Sequence, residues 1–264
     1  MSMGEMATAT VQLRGVTLGE GAPKICVPLI DATADALAAT ASALPFDVLD
    51  LVELRIDFFD EIGDADAVTD ALSRVRSALP DGVPVLFTFR SLREGGQREL
   101  ATGDYEALIA LAADSGLVDA VDVEMFTPAD ALGRIVAHAH DAGVPVVMSS
   151  HDFDATPPRE EIVGRLRRQQ ELGADVVKIA VMPRSPRDVV TLLDATEEFT
   201  ATAARPAITM SMGPLGVASR VAGEVFGSCL TFGAVGTVSA PGQLAAADLR
   251  VALDVLHAAA SSDG

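Results

Sequence analysis

LVELRIDFF, residues 51–59, alternates apolar and charged side chains with the two-residue period of a β-strand. Val52, Leu54, Ile56 and Phe58 fall on one side, and Glu53, Arg55 and Asp57 fall on the other. VVKIAV, residues 176–181, repeats the pattern with Val177, Ile179 and Val181 set against Lys178. In a closed barrel of parallel strands one parity packs on the surrounding helices and the other points into the lumen. Three charges and a lysine on the inward parity therefore predict a polar upper lumen.

The neighbouring sequence supplies the rest of such a barrel. Strands are predicted near residues 24–30, 48–58, 84–90, 120–125, 145–151, 176–181, 206–212 and 231–235. Alanine-rich stretches with apolar residues at three-and-four spacing predict helices over 33–44, 66–79, 104–116, 128–142, 158–173, 185–202, 215–228 and 243–260. Eight strand–helix pairs suit a (β/α)8 TIM barrel; no glycine fingerprint of a doubly wound nucleotide fold follows the first strand. VQLRGVTLGEG, residues 11–21, predicts a short N-terminal β-hairpin closing the bottom of the barrel. No Pro/Gly/Ser linker divides residues 1–264, so a single α/β catalytic domain is expected, with residues 1–10 flexible.

The formal net charge of −19 argues against nucleic acid or an acidic membrane surface as the main partner. No apolar run is long enough to span a bilayer and the start lacks the order of a signal peptide, so a cytoplasmic protein is expected. Cys26 and Cys229 have no partners at metal-ligand spacing; neither a disulfide framework nor a metal site is expected.

The inward parity collects further candidates. Arg90 ends one strand, His151 ends another in VVMSSH, Asp122 and Glu124 share a face of a third, and Met210 and Met212 share a face of a fourth. Each has a bland reading: Glu53 with Arg55 as a buried ion pair, His151 as a turn residue, the methionines as core packing. Lys178 resists one, because an ammonium in the middle of an apolar strand cannot reach water. Burial and cations such as Arg55, Arg90 or Arg220 are expected to favour its neutral, nucleophilic form. An imine formed by Lys178 would acidify the adjacent carbon. His151, oriented by a carboxylate such as Glu94, could then move the proton and expel a hydroxyl as water. Inward arginines suggest an anionic, carboxylate-bearing substrate.

These residues lie in segments that resemble the type I 3-dehydroquinate dehydratase family: ELR at 53–55, FTFRSLREGGQ at 87–97, DVE at 122–124, SSHDF at 149–153, VKIAVMP at 177–183, SMGPLGVASRVAGEVFGS at 211–228 and TFGAVGTVSAPGQ at 231–243. The resemblance implies conversion of 3-dehydroquinate to 3-dehydroshikimate and water, in the shikimate pathway, without cofactor or metal. It implies Lys178 as the Schiff-base lysine, His151 as general acid/base and Glu94 as its partner. It also implies Arg220 as the carboxylate anchor, with Glu53, Arg55, Arg90, Ser239 and Gln243 around the hydroxyls and ketone. Met210, Met212 and Phe232 would wall the pocket, Asp122 and Glu124 would support it, and the chain would pair as a homodimer. Glycines near Glu94 and in SAPGQ suggest mobile loops. Pro28 stands in strand one where some members of the family have a small hydroxylated residue, so a minor substrate contact is in doubt. A class I aldolase-type barrel and a barrel that binds a carboxylated metabolite without turnover are the competing readings.

Overall fold

The computed structural model describes residues 10–236 and 240–261. Nearly all of the segment expected to be flexible, residues 1–9, lies outside them, as does Ser239. The hairpin is present: β1 (Val11–Leu13) pairs antiparallel with β2 (Val16–Leu18), and Arg14 takes a positive φ of 45° in the two-residue turn with Gly15.

The barrel strands are β3 (Lys24–Leu29), β4 (Leu51–Arg55), β5 (Val85–Thr88), β6 (Ala120–Glu124), β7 (Val146–Asp152), β8 (Val176–Val181), β9 (Ala207–Ser211) and β10 (Leu230–Ala234). Neighbours pair in parallel from β3 to β9, and β10 pairs with β3. A two-residue strand, β11 (Leu244–Ala245), adds to β10. The ring closes between β9 and the approach to β10 through a main-chain bond and the Ser228 side chain. The Cys229 N–H donates to the Ala207 carbonyl at 2.8 Å, and the Thr209 N–H donates to Ser228 Oγ at 3.0 Å.

Helices α1 (Ala34–Ser42), α2 (Ala65–Ala78), α3 (Thr102–Asp114), α4 (Ala129–Asp141), α5 (Arg159–Glu171), α6 (Pro186–Thr200), α7 (Val217–Val221), α8 (Gly223–Phe226) and α9 (Ala246–Ala260) complete the chain. Their starts are specified locally. Thr33 and Asp64 accept N–H groups of the first turns of α1 and α2, and Ser185 with Asp188 forms a capping box on α6 ahead of Pro186 at its first turn.

Two expectations need correction. The predicted strand over 48–58 is shorter, because Ile56–Phe58 turns into a single 3₁₀ turn. Asp57 thereby leaves the lumen and binds back to Arg55, and the ring in the outer core is Phe59 rather than Phe58. The helix predicted over 215–228 is broken at Ala222 into α7 and α8, preceded by a 3₁₀ turn at Pro214–Gly216.

The outward parity, including Val52, Leu54, Phe87, Phe89, Val177, Ile179 and Val181, packs with the helices in the main core. Burying each such side chain contributes about 1.5–3 kcal/mol. The first inward position of each strand, among them Cys26, Leu51, Leu86, Val147, Val176, Ile208 and Leu230, forms a second apolar cluster with Val11, Leu13 and Leu18 of the hairpin. The bottom of the lumen is thus plugged and dry. Three aspartates fix the strand starts in the same way: Asp50, Asp119 and Asp175 each accept the first free N–H of the preceding strand, from Ile25, Val85 and Val146, at 2.7–2.9 Å. No helix among the described residues is long and apolar enough to cross a membrane.

Candidate active site

Above the apolar plug, the second inward position of successive strands brings Glu53, Thr88, Asp122, Ser149, Lys178, Met210 and Phe232 together. The third brings Arg55, Arg90, Glu124, His151, Ala180 and Met212. They ring the upper lumen, where the C-terminal ends of barrel strands carry active sites. A cavity opens there toward the ends of the strands. Among its lining residues are Glu53, Arg55, Arg90, Glu94, His151, Lys178, Met210, Met212, Arg220, Phe232 and Gln243. The structure therefore gathers every described residue singled out from sequence as catalytic or substrate-binding around one space. Asp122 and Glu124 stand behind the wall as supports.

Lys178 is 3 % exposed, with Nζ 2.9 Å from Asp122 Oδ2, 3.5 Å from Glu53 Oε1 and 4.8 Å from the centre of the Phe232 ring. The charges nearest the amine are thus carboxylates, not the arginines anticipated from sequence. Two of the three arginines are turned to carboxylates, Arg90 sharing Asp122 with the amine and Arg55 bound to Asp57. Arg90 donates to Asp122 Oδ1 at 2.8 Å, Glu124 Oε1 at 3.1 Å and Ser149 Oγ at 2.9 Å. Arg55 makes a two-pronged bond to Asp57, both arms 2.8 Å, and lies over the Phe58 ring. Burial alone would raise the Asp122 carboxyl, but Arg90 and Lys178 hold it below its ordinary range.

Glu94 sits in a 3₁₀ turn after β5 and is 2 % exposed. Its Oε2 lies 2.9 Å from His151 Nδ1 and accepts the His151 backbone N–H at 3.1 Å, while Oε1 has no hydrogen-bond partner. Burial pushes the Glu94 carboxyl up to about 8 against the pull of Arg90. Burial, and then Arg90, Lys178 and Arg55, holds His151 well below the ordinary imidazole range. A neutral imidazole bonded through Nδ1 to a carboxylate leaves Nε2 free to take a proton.

Arg220 on α7 is 1 % exposed and has no carboxylate partner among the described residues. Nη2 donates to the Pro241 carbonyl at 3.2 Å, Nη1 lies 3.9 Å from Met210 Sδ, and Nε is unpartnered. Burial lowers its pKa to about 10. A buried guanidinium on the cavity wall without a counter-ion is a receptor for an anionic ligand group.

Sequence reasoning passed over Gly95, Phe153, Ala180 and Ala240, which also line the cavity. Strand parity could have found Ala180; the others lie in loops, where no period applies. The glycines expected to confer mobility meet close-approach demands here. A Cβ on Gly96 would lie 1.8 Å from the Arg90 carbonyl oxygen, and one on Gly242 would lie 2.3 Å from that of Gly213. Among the described residues no group of three His, Cys, Asp or Glu side chains is placed to hold a metal ion.

The type I 3-dehydroquinase family model matches residues 25–260. The 3-dehydroquinate dehydratase of Listeria monocytogenes is 53% identical over 249 residues, covering 94% of this chain and 98% of its own. That of Syntrophotalea carbinolica is 53% identical over 253 residues, covering 94% and 98%. The type I 3-dehydroquinate dehydratase of Clostridium difficile, solved with covalently modified comenic acid, superposes with a TM-score of 0.92 at 46% identity, covering 96% of this chain and 99% of its own. With its barrel, its upper-lumen lysine and histidine, and this likeness along nearly its whole length, the chain belongs to the type I 3-dehydroquinase family.

Proposed function

We propose that this chain dehydrates 3-dehydroquinate to 3-dehydroshikimate through an imine on Lys178, with His151 as general acid/base. The observation that carries the reading is the placement of Lys178 and His151 on adjacent strands β8 and β7, facing one cavity that also holds the Arg220 guanidinium, which has no carboxylate partner among the described residues.

In this reading the substrate carboxylate binds Arg220 with charge-assisted hydrogen bonds. Glu53, Arg55, Ser239 and Gln243 hold the hydroxyls and ketone region. Arg90 contributes from the wall while it anchors Asp122, Glu124 and Ser149. Lys178 attacks the ketone carbon, water leaves, and the protonated imine draws electrons from the neighbouring carbon. His151 removes that carbon's proton; the resulting enamine expels the β-hydroxyl, which takes the proton from His151 and departs as water. Hydrolysis of the imine then frees the product and the lysine. Met210, Met212 and Phe232 keep the site apolar around the imine. A homodimer in the cytoplasm, implied by the family resemblance, belongs to the same proposal, and a monomer by sedimentation at micromolar concentration would remove the first part of it.

Incubation with 3-dehydroquinate and borohydride, followed by peptide mapping, tests the chemistry, because reduction traps an imine where it forms. A reduced adduct on Lys178 is expected. Turnover with an adduct elsewhere or none would overturn the assignment, and carbon–carbon cleavage products would point to an aldolase.

A further inference from the structure

The shell where helices pack on the barrel holds one wholly buried amide. Gln169 lies in the last turn of α5, at 0 % exposure, beside the apolar face formed by Ile162, Val163 and Leu166. Its side-chain oxygen accepts the Lys178 backbone N–H at 2.9 Å, and its side-chain nitrogen donates to the Lys178 carbonyl at 2.9 Å. The same nitrogen lies 3.5 Å from Met125 Sδ. One side chain thus meets both main-chain polar groups of the residue that carries the amine. A primary amide offers one acceptor and one donor, the pair that a peptide unit of a neighbouring strand presents.

Packing alone does not call for an amide here. Glutamine is seldom fully buried and gives up several rotatable bonds in this position, and a methionine would fill the same space beside Met125. Only the two bonds to Lys178 need the amide. On the lumen side the lysine has little slack: Nζ is held 2.9 Å from Asp122 Oδ2 and sits 4.8 Å from the Phe232 ring centre. The attacking nitrogen stands at the end of a long side chain whose root is fixed from outside the barrel by α5.

We propose that Gln169 is a positioning residue for the imine-forming lysine, clamping the Lys178 main chain so that Nζ meets the substrate carbonyl in register. The inference rests on Lys178 being that lysine, as proposed above.

The test uses the full chain with Gln169→Met and Gln169→Glu. Borohydride trapping to completion counts the sites competent to form the adduct, and kcat is expressed per competent site. Gln169→Met is expected to lower that kcat about 10- to 100-fold, the loss that a misplacement near 1 Å can cause, with KM and product affinity close to wild type. Gln169→Glu keeps an acceptor for the Lys178 N–H but lacks the donor until its carboxyl is protonated, so its activity relative to wild type is expected to recover as pH falls. A merely structural role would lower Tm and the number of competent sites while leaving kcat per site unchanged. That result in Gln169→Met, or a deficit in Gln169→Glu that ignores pH, overturns the proposal. If Gln169→Met does not fold, Gln169→Glu carries the decision. Absence of a Lys178 adduct in the wild type would instead sink the assignment of the lysine, a failure distinct from that of Gln169.

Discussion

One oxygen of Glu94 holds His151 twice, at 2.9 Å from Nδ1 and 3.1 Å from the backbone nitrogen. Ring orientation and main-chain position are thereby tied to the loop after β5. When Glu94 is ionised it accepts Nδ1–H and leaves Nε2 bare. The wild-type kcat/KM is therefore expected to climb with pH toward about 8, where Glu94 releases its proton. In Glu94→Gln that limb should flatten and kcat should fall about 10- to 100-fold. An unaltered pH profile in the variant would remove Glu94 from the proton relay.

The same carboxyl makes a prediction about stability. Its pKa is raised in the folded chain from 4.5 to about 8. Between those values the folded chain keeps a proton that the unfolded chain has released, so this group's contribution to stability falls as pH rises through the window. His151 has the opposite slope, confined to pH below its ordinary value of 6.5, and it is common to both proteins. Glu94→Gln should thus gain stability over wild type between pH 6.5 and 8, by about 1–3 kcal/mol. Chemical denaturation across that range measures it, and a gap that closes with rising pH would contradict the account.

Arg220 sets affinity against stability. Burying its guanidinium without a carboxylate costs free energy, which is why its pKa is depressed to about 10. Arg220→Met removes the buried charge and is expected to leave folding stability unchanged or raise it by about 1–2 kcal/mol. Two charge-assisted bonds to the substrate carboxylate would be lost, so KM should rise about 100-fold or more. Thermal melts with and without product read both effects together: wild type should melt higher with product, and the variant should not. A variant that is less stable and still shifts with product would show that Arg220 serves the fold instead.

Strand period made the barrel and the lumen legible. Glu53, Asp122, Lys178 and Met210 stand one inward step above the apolar plug, and a two-residue alternation exposes such a step directly. Where the strand stops, the rule stops: Asp57 and Phe58 keep the parity in sequence but lie in a 3₁₀ turn. By composition alone Arg220 would read as a surface charge on a helix; the family motif marks it as an anchor, and the tertiary fold shows how deeply it is buried. Gln169 and Gln170 look alike in the sequence, yet one clamps Lys178 while the other accepts the Ala204 N–H. Phe153 and Gly95 meet through loops, which no periodicity relates.

The acidic surface predicts salt dependence. With a net charge of −19, self-repulsion opposes the compact state and is screened by ions. Tm should rise by a few degrees as potassium chloride is raised from about 0.01 M, where the Debye length is about 30 Å, to about 1 M, where it is about 3 Å. Equal melting temperatures at the two concentrations would sink the idea.

Gly95 joins the loop of Glu94 to that of His151. Its φ of 86° disfavours any side chain, and a Cβ there would lie 2.3 Å from two carbons of the Phe153 ring. Gly95→Ala therefore carries two separate penalties, one of backbone and one of contact. The backbone part costs about 1–2 kcal/mol; the contact part adds to it and pushes the β5 loop away from β7, lengthening the Glu94–His151 bond. Phe153→Ala removes only the contact. A double-mutant cycle should show coupling of about 0.5–3 kcal/mol between the two changes, with Phe153→Ala less damaging in the Gly95→Ala background than alone. Activity should follow the same order, because the loop that the ring displaces carries the carboxylate. Additive effects on stability, within about 0.5 kcal/mol, would mean that the ring swings aside without cost and that the left-handed backbone alone requires the glycine.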